Sequence, residues 1–292
     1  MISGLGERLT PLYPLLYEPI VRRALEEDLG RAGDLTSDAV LPAGLRAQAD
    51  VVARRAGRIA GLDAALAAFR MLDPEIEVVV SCGDGEDAES GMVLATVRGP
   101  ARAILSAERT ALNLLGRLCG IATATRDLVA VVAPHGAHVV CTRKTTPGLR
   151  ALEKYAVRAG GGSNHRFGLD DAVLIKDNHV ALAGGLRTAV ERARAGVGHL
   201  VKIELEVDSL DQLREALDLG VDVVLLDNMS LDDLREAVRL VHRMEGGKPL
   251  TEASGGIRPD TAAAIAATGV DLLSVGWLTH SSPALDVALD VR

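Results

Sequence analysis

A regular alternation of short apolar runs and helical patterns fills the second half of the chain, and it constrains the fold more than any other feature. The runs begin at His138 and are rich in Val, Ile and Leu, which is typical of strands buried in a parallel sheet. The predicted strands cover residues 138–144, 172–178, 200–207, 221–228, 249–256 and 271–278. Repeated β-α units with crossovers of one hand favour a β/α barrel, and an open doubly wound sheet is the alternative.

Helical patterns fill the segments between the later strands. Each segment places apolar residues at helical spacing, and several begin with Ser, Asp or Pro and end with Gly, which are common helix start and stop signals. The predicted helices are GGLRTAVERARAG, SLDQLREALDLG, LDDLREAVRLVHRME and PDTAAAIAATG. Each of these helices can therefore connect one strand to the next parallel strand.

The first part of the chain lacks this repeat. Residues 1–105 show strand patterns, one helical pattern and Gly-rich turns, which indicate a separate α+β domain. A long helical pattern follows, with Ser106 as its predicted N-cap, and joins the two halves. We assign residues 1–118 to the N-terminal domain and residues 119–292 to the barrel domain, and we expect residues from about 280 to 292 to pack back on the N-terminal domain.

The composition narrows the classes of function. Hydrophobic residues make up 48% of the 292 residues, yet no apolar run approaches the roughly 20 residues that span a bilayer, so we expect a soluble protein. A formal net charge of −8 with two Phe, one Trp and three Tyr argues against nucleic-acid binding. We read no secretory signal in the first residues and expect a cytoplasmic location. The widely spaced Cys82, Cys119 and Cys141 predict buried free thiols rather than a disulfide or a zinc site.

The ends of the predicted strands carry the reactive side chains. In β/α barrels the carboxyl ends of the strands form the active site, because the loops converge there. The groups at these ends are Arg143 and Lys144, Lys176 with Asp177 and Asn178, Glu204 and Glu206, Asp227 and Asn228, Ser254 with Gly255 and Gly256, and Gly276. Every predicted strand ends in such a group, so we expect one shared site at this rim.

The strand LVKIELEV separates its side chains by face. Alternation places Lys202, Glu204 and Glu206 on one face and the apolar residues on the other. A barrel strand that turns its charges into a ligand-filled mouth fits this pattern, and an edge strand with a solvated face fits it as well. If their strands are neighbours, Glu206 and Asp227 form a pair of oxygen ligands suited to hydrated Mg²⁺.

Two further features of the rim suit anions. Ser254, Gly255 and Gly256 precede a predicted helix, where exposed amides bind phosphate, although such a sequence is also a common turn. Basic groups recur on the strand ends and loops of an acidic protein, and a pocket for a small polyanion fits them better than solvated surface does. These basic residues are Arg143, Lys144, His165, Arg166 and Lys176.

A polar stripe runs along the predicted long helix. Arg109, Asn113 and Arg117 recur every four residues, opposite a stripe of leucines. From the pattern alone we expect this stripe to face solvent.

A set of ordered motifs resembles one known family. The motifs are AERTALNLL, TRKTTPGLR, GGGSNHRFGL, LIKDNH, ELEVDSL, LLDN, EASGGI and VGWLTH. Together they strongly resemble the nicotinate-nucleotide pyrophosphorylases (carboxylating), also called quinolinate phosphoribosyltransferases. The similarity runs from near Glu27 to the C-terminus.

The resemblance implies an activity, a fold and an assembly. The family makes nicotinate mononucleotide, pyrophosphate and CO₂ from quinolinate and phosphoribosyl pyrophosphate with Mg²⁺, a glycosyl transfer on the de novo route to NAD. By the same resemblance, the fold is α/β, with an N-terminal α/β sandwich-like domain followed by an incomplete β/α barrel similar to a TIM barrel. The assembly is a homodimer or larger, with active sites shared between subunits.

The resemblance also assigns roles to residues. Lys144, Glu206 and Asp227 would be catalytic, and the two carboxylates would also hold Mg²⁺. Arg109 would reach into the partner's site rather than face solvent, whereas roles for Lys202 and Glu204 stay open. The substrate-binding residues would be Arg109, Thr142, Arg143, Lys144, His165, Arg166, Lys176, Glu206, Asp227, Ser254, Gly255, Gly256, Val275, Gly276 and Trp277.

Two other functions fit the sequence. One is a related phosphoribosyltransferase that uses a different carboxylated ring. The other is a non-catalytic barrel that senses phosphorylated metabolites. Glu206 and Asp227 disfavour the sensor, because carboxylates repel a bound anion unless a metal ion intervenes.

Overall fold

The structure, a computed structural model, describes residues 9–292. Residues 1–8, which begin the N-terminal segment in which we read no secretory signal, lie outside the described residues. The strands are β1 (Arg46–Ala53), β2 (Gly57–Arg58), β3 (Glu77–Val80), β4 (Asp87–Ala88), β5 (Val93–Pro100), β6 (His138–Val140), β7 (Val173–Ile175), β8 (Ile203–Val207), β9 (Val223–Asp227), β10 (Leu250–Ser254), β11 (Leu272–Ser274) and β12 (Val287–Val291).

The helices connect and cover these strands. No helix within residues 9–292 combines the length and the apolar composition needed to cross a bilayer. The α-helices are α1 (Pro14–Leu29), α2 (Leu35–Val40), α3 (Leu62–Leu72), α4 (Ala101–Val132), α5 (Arg150–Ala159), α6 (Asp177–Ala183), α7 (Leu186–Gly196), α8 (Leu210–Leu219), α9 (Leu231–His242), α10 (Pro259–Ala266) and α11 (Trp277–His280).

The chain divides into two compact units. The first unit contains the described residues up to Arg126 together with Thr145–Gly161 and Trp277–Arg292. The barrel unit contains Asp127–Lys144 and Gly162–Gly276. The division of the sequence at residue 118 stays a prediction.

The first unit is built on an antiparallel sheet with the strand order β12-β1-β5-β3. Strand β12, from the end of the chain, pairs with β1 from Ala49 to Ala53. Helix α3 buries an apolar face that includes Leu66 and Phe69, which are 2% and 0% exposed. An antiparallel sheet together with such a helix is the combination expected for an α+β domain.

The barrel unit is a parallel sheet with the strand order β6-β11-β10-β9-β8-β7. Strands β7 to β11 are neighbours in chain order, and the first strand of the unit, β6, pairs with the last, β11. A doubly wound sheet would reverse its order at a switch point instead. The sheet ends at β6 and β7, which leaves a seam between them, and the predicted incomplete β/α barrel is confirmed.

The strands and helices of the barrel unit lie where the sequence predicts them, but the strands are shorter. Strand β6 ends at Val140 rather than at residue 144, and the N–H of Lys144 donates to Thr142 Oγ1 at 3.0 Å in the loop that follows. Helix α9 begins after Ser230, whose Oγ accepts from the N–H of Asp233 at 3.1 Å. Helix α8 ends before Gly220, which is left-handed with φ of 62°, as helix-terminating glycines often are.

The predicted start of the long helix is wrong. Helix α4 begins at Ala101, and Ser106 lies inside it, where its hydroxyl donates to Asp34 Oδ2 at 2.9 Å. The segment after Pro100 consists mainly of Ala, Arg and Leu, which favour the helix more strongly than a serine cap favours a later start.

The prediction that the polar stripe on α4 faces solvent is wrong for Arg117. Its guanidinium contacts Glu153 Oε1 at 2.9 Å, and the Glu153 side chain is 0% exposed. The same carboxylate accepts from the N–H and the hydroxyl of Thr146, at 2.9 and 2.8 Å. Arg117 also donates to the carbonyls of Thr279 and Ser282. Arg117 therefore belongs to an internal polar network of the first unit.

All three cysteines are buried free thiols, as predicted. Burial raises the pKa of the Cys119 thiol to about 12.

Candidate functional site

The register of the barrel sheet brings two carboxylates and a serine to neighbouring positions. Glu206 on β8 lies opposite Leu225 on β9, so Asp227 follows two residues farther along the adjacent strand. Because side chains alternate along a strand, Glu206 and Asp227 lie on the same face of the sheet. Asp227 in turn lies opposite Ser254 on β10. The predicted neighbourhood of the two acids is confirmed.

Both carboxylates have polar partners at this rim. Lys176, at the end of β7, contacts Glu206 Oε2 through its Nζ at 2.6 Å. Asn228 donates from its side-chain amide to Asp227 Oδ2 at 2.7 Å. Lys202 lies at the opposite end of β8, where it is 75% exposed and pairs with Asp222 at 2.5 Å. Lys202 is therefore separated from the rim by the length of the strand.

The two acids suit a hydrated Mg²⁺ in their chemistry. Each offers carboxylate oxygens on one face of adjacent strands, and the Glu206 side chain is 13% exposed, so it is reached from the mouth of the barrel. Mg²⁺ commonly takes one or two carboxylates and completes its shell with water and phosphate oxygens. The residues present fit that ion.

Two arginines, Arg143 and Arg166, place positive charge in the barrel unit. The pKa of Arg166 is lowered, first by burial and then by the charge of Arg143, so the two guanidinium groups are near each other. Arg166 donates to the carbonyl oxygen of Ala172 at 3.0 Å. Lys144 is exposed in the loop after β6. Adjacent like charges cost free energy that a bound dianion would offset.

His165 contacts a buried pair of acids. Its Nε2 lies 2.7 Å from Glu204 Oε2 and 3.7 Å from Glu252 Oε1. Glu204 and Glu252 are 7% and 2% exposed, so Glu204 does not lie in a wet mouth. Burial, and next the charge of Glu204, raise the pKa of Glu252 to about 7. Sequence reasoning missed Glu252, although alternation along β10 places it on the same face as Ser254.

The turn after β10 has the backbone shape of an anion site. Gly255 and Gly256 adopt φ of 94° and 59°, which is the left-handed region that favours glycine. A Cβ on Gly255 would lie 2.1 Å from Asn228 Oδ1, whereas a Cβ on Gly256 would meet no atom within 4 Å. Open space above the left-handed Gly256, shortly before α10 begins at Pro259, is favourable for a phosphate.

The remaining predicted residues lie in both units. Val275 is buried after β11, and its N–H donates to the Val140 carbonyl oxygen at 2.9 Å. Gly276 is the last residue of the barrel unit, and Trp277 begins α11 of the first unit. Arg109, on α4 of the first unit, is 64% exposed in the single chain and lies 3.7 Å from Glu108.

A cavity of about 430 Å³ opens beside β7, α6 and α7. Arg166 is the one predicted site residue in its lining, which also includes His179, Arg192 and apolar side chains such as Leu174. The cavity therefore borders the candidate site at Arg166.

Comparisons with known proteins agree with these features. The family described as quinolinate phosphoribosyl transferase matches with its N-terminal domain over residues 34–119 and its C-terminal domain over residues 121–290. A probable nicotinate-nucleotide pyrophosphorylase [carboxylating] of Bacillus subtilis is 45% identical over 91% of this chain and 90% of its own length.

Solved structures have the same fold. The nicotinate-nucleotide pyrophosphorylase from Francisella tularensis is 36% identical, covers 98% of this chain and 100% of its own, and superposes with a TM-score of 0.92. NadC from Streptococcus pyogenes is 37% identical over 97% of this chain and 99% of its own, also with a TM-score of 0.92. The chain belongs to the quinolinate phosphoribosyl transferase family.

Proposed function

We propose that this chain transfers the phosphoribosyl group of phosphoribosyl pyrophosphate to quinolinate and releases pyrophosphate and CO₂, which leaves nicotinate mononucleotide for NAD biosynthesis. One observation carries the proposal beyond family membership. The barrel unit combines neighbouring guanidinium groups, Arg143 and Arg166, with two carboxylates, Glu206 and Asp227, on adjacent strands. A dicarboxylate acceptor requires the guanidinium groups, and a developing positive charge on the sugar requires the carboxylates.

Quinolinate would bind to the cations. Guanidinium groups grip carboxylates through two parallel hydrogen bonds, which suits Arg143 and Arg166 to the two carboxylates of quinolinate. Lys144 and Lys176 would add positive charge for the ring carboxylates and the pyrophosphate. Lys176 would then exchange its present partner, Glu206 at 2.6 Å, for substrate oxygens.

Phosphoribosyl pyrophosphate would bind along the turns after β10 and β11. Ser254 and the left-handed Gly255 and Gly256, the second of which faces open space, would hold the 5′-phosphate through backbone amides. Thr142 and the segment Val275–Gly276–Trp277 would complete the binding surface.

The carboxylates would act at the anomeric carbon. Glycosyl transfer passes through an oxocarbenium-like state, and the negative charges of Glu206 and Asp227 would stabilise it. Mg²⁺ held by these acids would neutralise the charge of the leaving pyrophosphate. Lys144, which is exposed in its loop, would place its own positive charge next to the reacting groups. Once the ring nitrogen is alkylated, the ring accepts the electron pair left by CO₂, so no side-chain nucleophile is required.

A homodimer, or a larger assembly, would complete each site. Arg109 is largely exposed in the single chain, which leaves its guanidinium available to a partner's substrate. We propose a cytoplasmic location.

A direct assay tests the reaction. Purified protein is incubated with quinolinate, phosphoribosyl pyrophosphate and Mg²⁺, and nicotinate mononucleotide and CO₂ are measured. Arg166→Ala and Lys144→Ala should each lower the rate by about 100-fold or more with the fold intact, because each removes a charged contact that forms with substrate. Lys202→Ala is the matched control, since this lysine lies at the other end of β8. Binding of substrates without turnover by the wild-type protein would support a sensor instead.

Mixed dimers test the sharing of sites. Neither an Arg109→Ala chain nor a Lys144→Ala chain should be active alone. A heterodimer of the two has one site with both wild-type residues and should recover part of the activity. A verified heterodimer that stays inactive would contradict the proposed sharing.

A further inference from the structure

The imidazole of His165 uses both ring nitrogens for contacts within the barrel unit. Its Nδ1 accepts from the N–H of Arg166 at 2.8 Å, and an acceptor nitrogen carries no proton. The proton therefore lies on Nε2, which donates to Glu204 Oε2 at 2.7 Å. In this arrangement the ring has one defined tautomer, and its Nε2–H group is directed at Glu204.

The contact crosses the interior of the barrel. Ser163, two residues before His165, bridges to Val140 on β6, with its N–H 2.9 Å from the Val139 carbonyl oxygen. The carboxylates that His165 meets belong to other strands, Glu204 to β8 and Glu252 to β10. The imidazole thus ties the chain at the β6 edge of the seam to strands farther around the sheet.

Burial of the Glu204 and Glu252 carboxyl groups costs folding free energy. Within residues 9–292, the Oε1 atoms of Glu204 and Glu252 are buried without a hydrogen-bond partner. Burial of such groups reduces stability unless they pair with something. Apolar side chains would fill the same interior positions more stably. The presence of Glu204 is therefore better explained by the imidazole of His165 that it binds.

The loop after His165 is fixed at both ends. Arg166 donates to the Ala172 carbonyl oxygen at 3.0 Å, and the N–H groups of Phe167 and Gly168 donate to the Asp171 carboxylate at 2.5 and 3.1 Å. This loop spans the seam between β6 and β7. Its N-terminal anchor is the His165 ring.

We propose that Glu204 is a positioning residue: it holds the imidazole of His165 inside the barrel and thereby fixes the loop that presents Arg166 to an anionic substrate. The inference rests on the proposed function for the identity of that substrate. It assigns His165 the role of an anchor, whereas the sequence groups it with the substrate-binding cations.

Steady-state kinetics test the positioning. Glu204→Leu removes the acceptor of the Nε2–H group, and the kcat/KM for quinolinate should fall about 10- to 100-fold, because the hydrogen bond involves a charged group. Glu204→Gln keeps an acceptor oxygen and should restore most of that loss. His165→Phe should lose as much as Glu204→Leu, and the double variant should lose no more than either, since both changes remove one interaction. Losses that multiply in the double variant would overturn the proposal.

A spectroscopic readout is independent of turnover. Long-range ¹H–¹⁵N spectra of histidine-labelled protein should show His165 as the neutral Nε2–H tautomer at neutral pH, and Glu204→Leu should change its signals. Glu215→Leu makes the same replacement at an exposed position of α8 and should leave them unchanged. A cationic His165, or the Nδ1–H tautomer, would overturn the proposal.

The same samples distinguish the positioning role from a metal site and from a failure of the proposed function. His165, Glu204 and Glu252 could also ligate a metal ion, as their ligand atoms lie within 4.8 Å of one another. About one zinc or manganese ion per wild-type chain, lost in Glu204→Leu, would assign the cluster to a metal and overturn the proposal. A wild-type protein that does not turn over quinolinate would refute the proposed function, and the histidine spectrum would then decide the positioning by itself.

Discussion

The buried carboxyl of Glu252 should make the stability of this protein fall as the pH rises through neutrality. Burial, together with the charge of Glu204, raises the pKa of Glu252 from its ordinary value of 4.5 to about 7. The folded protein therefore keeps a proton on Glu252 that the unfolded chain releases over this range. A raised carboxyl pKa stabilises the protonated folded state, and this contribution is lost as the pH rises from the unfolded value to the folded one.

The size of the effect follows from the shift. A rise from 4.5 to about 7 corresponds to about 3 kcal/mol of unfolding free energy, of which about 2 to 3 kcal/mol is lost between about pH 5 and pH 8. Glu252→Gln has no proton to release at this position. The variant should therefore lose about 2 to 3 kcal/mol less than the wild type over the same interval.

Urea unfolding followed by circular dichroism measures this difference. Wild type and Glu252→Gln are unfolded at both pH values, and the contributions of titrating groups that do not interact with Glu252 cancel in the comparison. Glu215→Gln, on the exposed face of α8, is the matched control and should follow the wild type. Parallel pH profiles for wild type and Glu252→Gln would refute the reasoning.

Three further predictions test other parts of the structure. Arg117→Met should cost about 3 to 5 kcal/mol in urea unfolding, because it leaves the buried Glu153 carboxylate without its cation, and a loss below 1 kcal/mol would contradict the network. Gly255→Ala should raise the KM for phosphoribosyl pyrophosphate, because the added Cβ displaces the Asn228 amide, and an unchanged KM would place the phosphate elsewhere. Lys202→Ala should change the unfolding free energy by less than about 1 kcal/mol, since its ion pair is exposed, and a larger loss would show that the pair is structural.

Local patterns predicted the elements well wherever neighbouring residues decide the structure. Ser209, which opens the predicted segment SLDQLREALDLG, caps α8 because its hydroxyl lies within reach of the N–H three residues on, which depends on the local backbone alone. The adjacency of Glu206 and Asp227 followed from the β-α repeat, because sequential strands with one-handed crossovers become neighbours. Such inferences need no knowledge of distant contacts.

Two predictions along α4 failed. Ser106 has the residue type of a helix cap, yet it contacts Asp34 from inside α4. Arg117 follows the pattern of a solvated stripe, yet it pairs with Glu153, and the two are 36 residues apart in the chain. Side-chain periodicity reports which face of an element a residue occupies, and it carries no information about which element covers that face.

Chain order and alternation by themselves determined the β-α repeat and the rim on which its polar groups lie, because the period of a strand and the hand of a crossover are properties of the local chain. Only the folded sheet decided that Glu204 and Glu252 converge on His165, which precedes Glu204 by 39 residues. That convergence depends on the register of several strands and on the position of the seam. These follow from packing summed over the whole unit, and no short stretch of sequence encodes them.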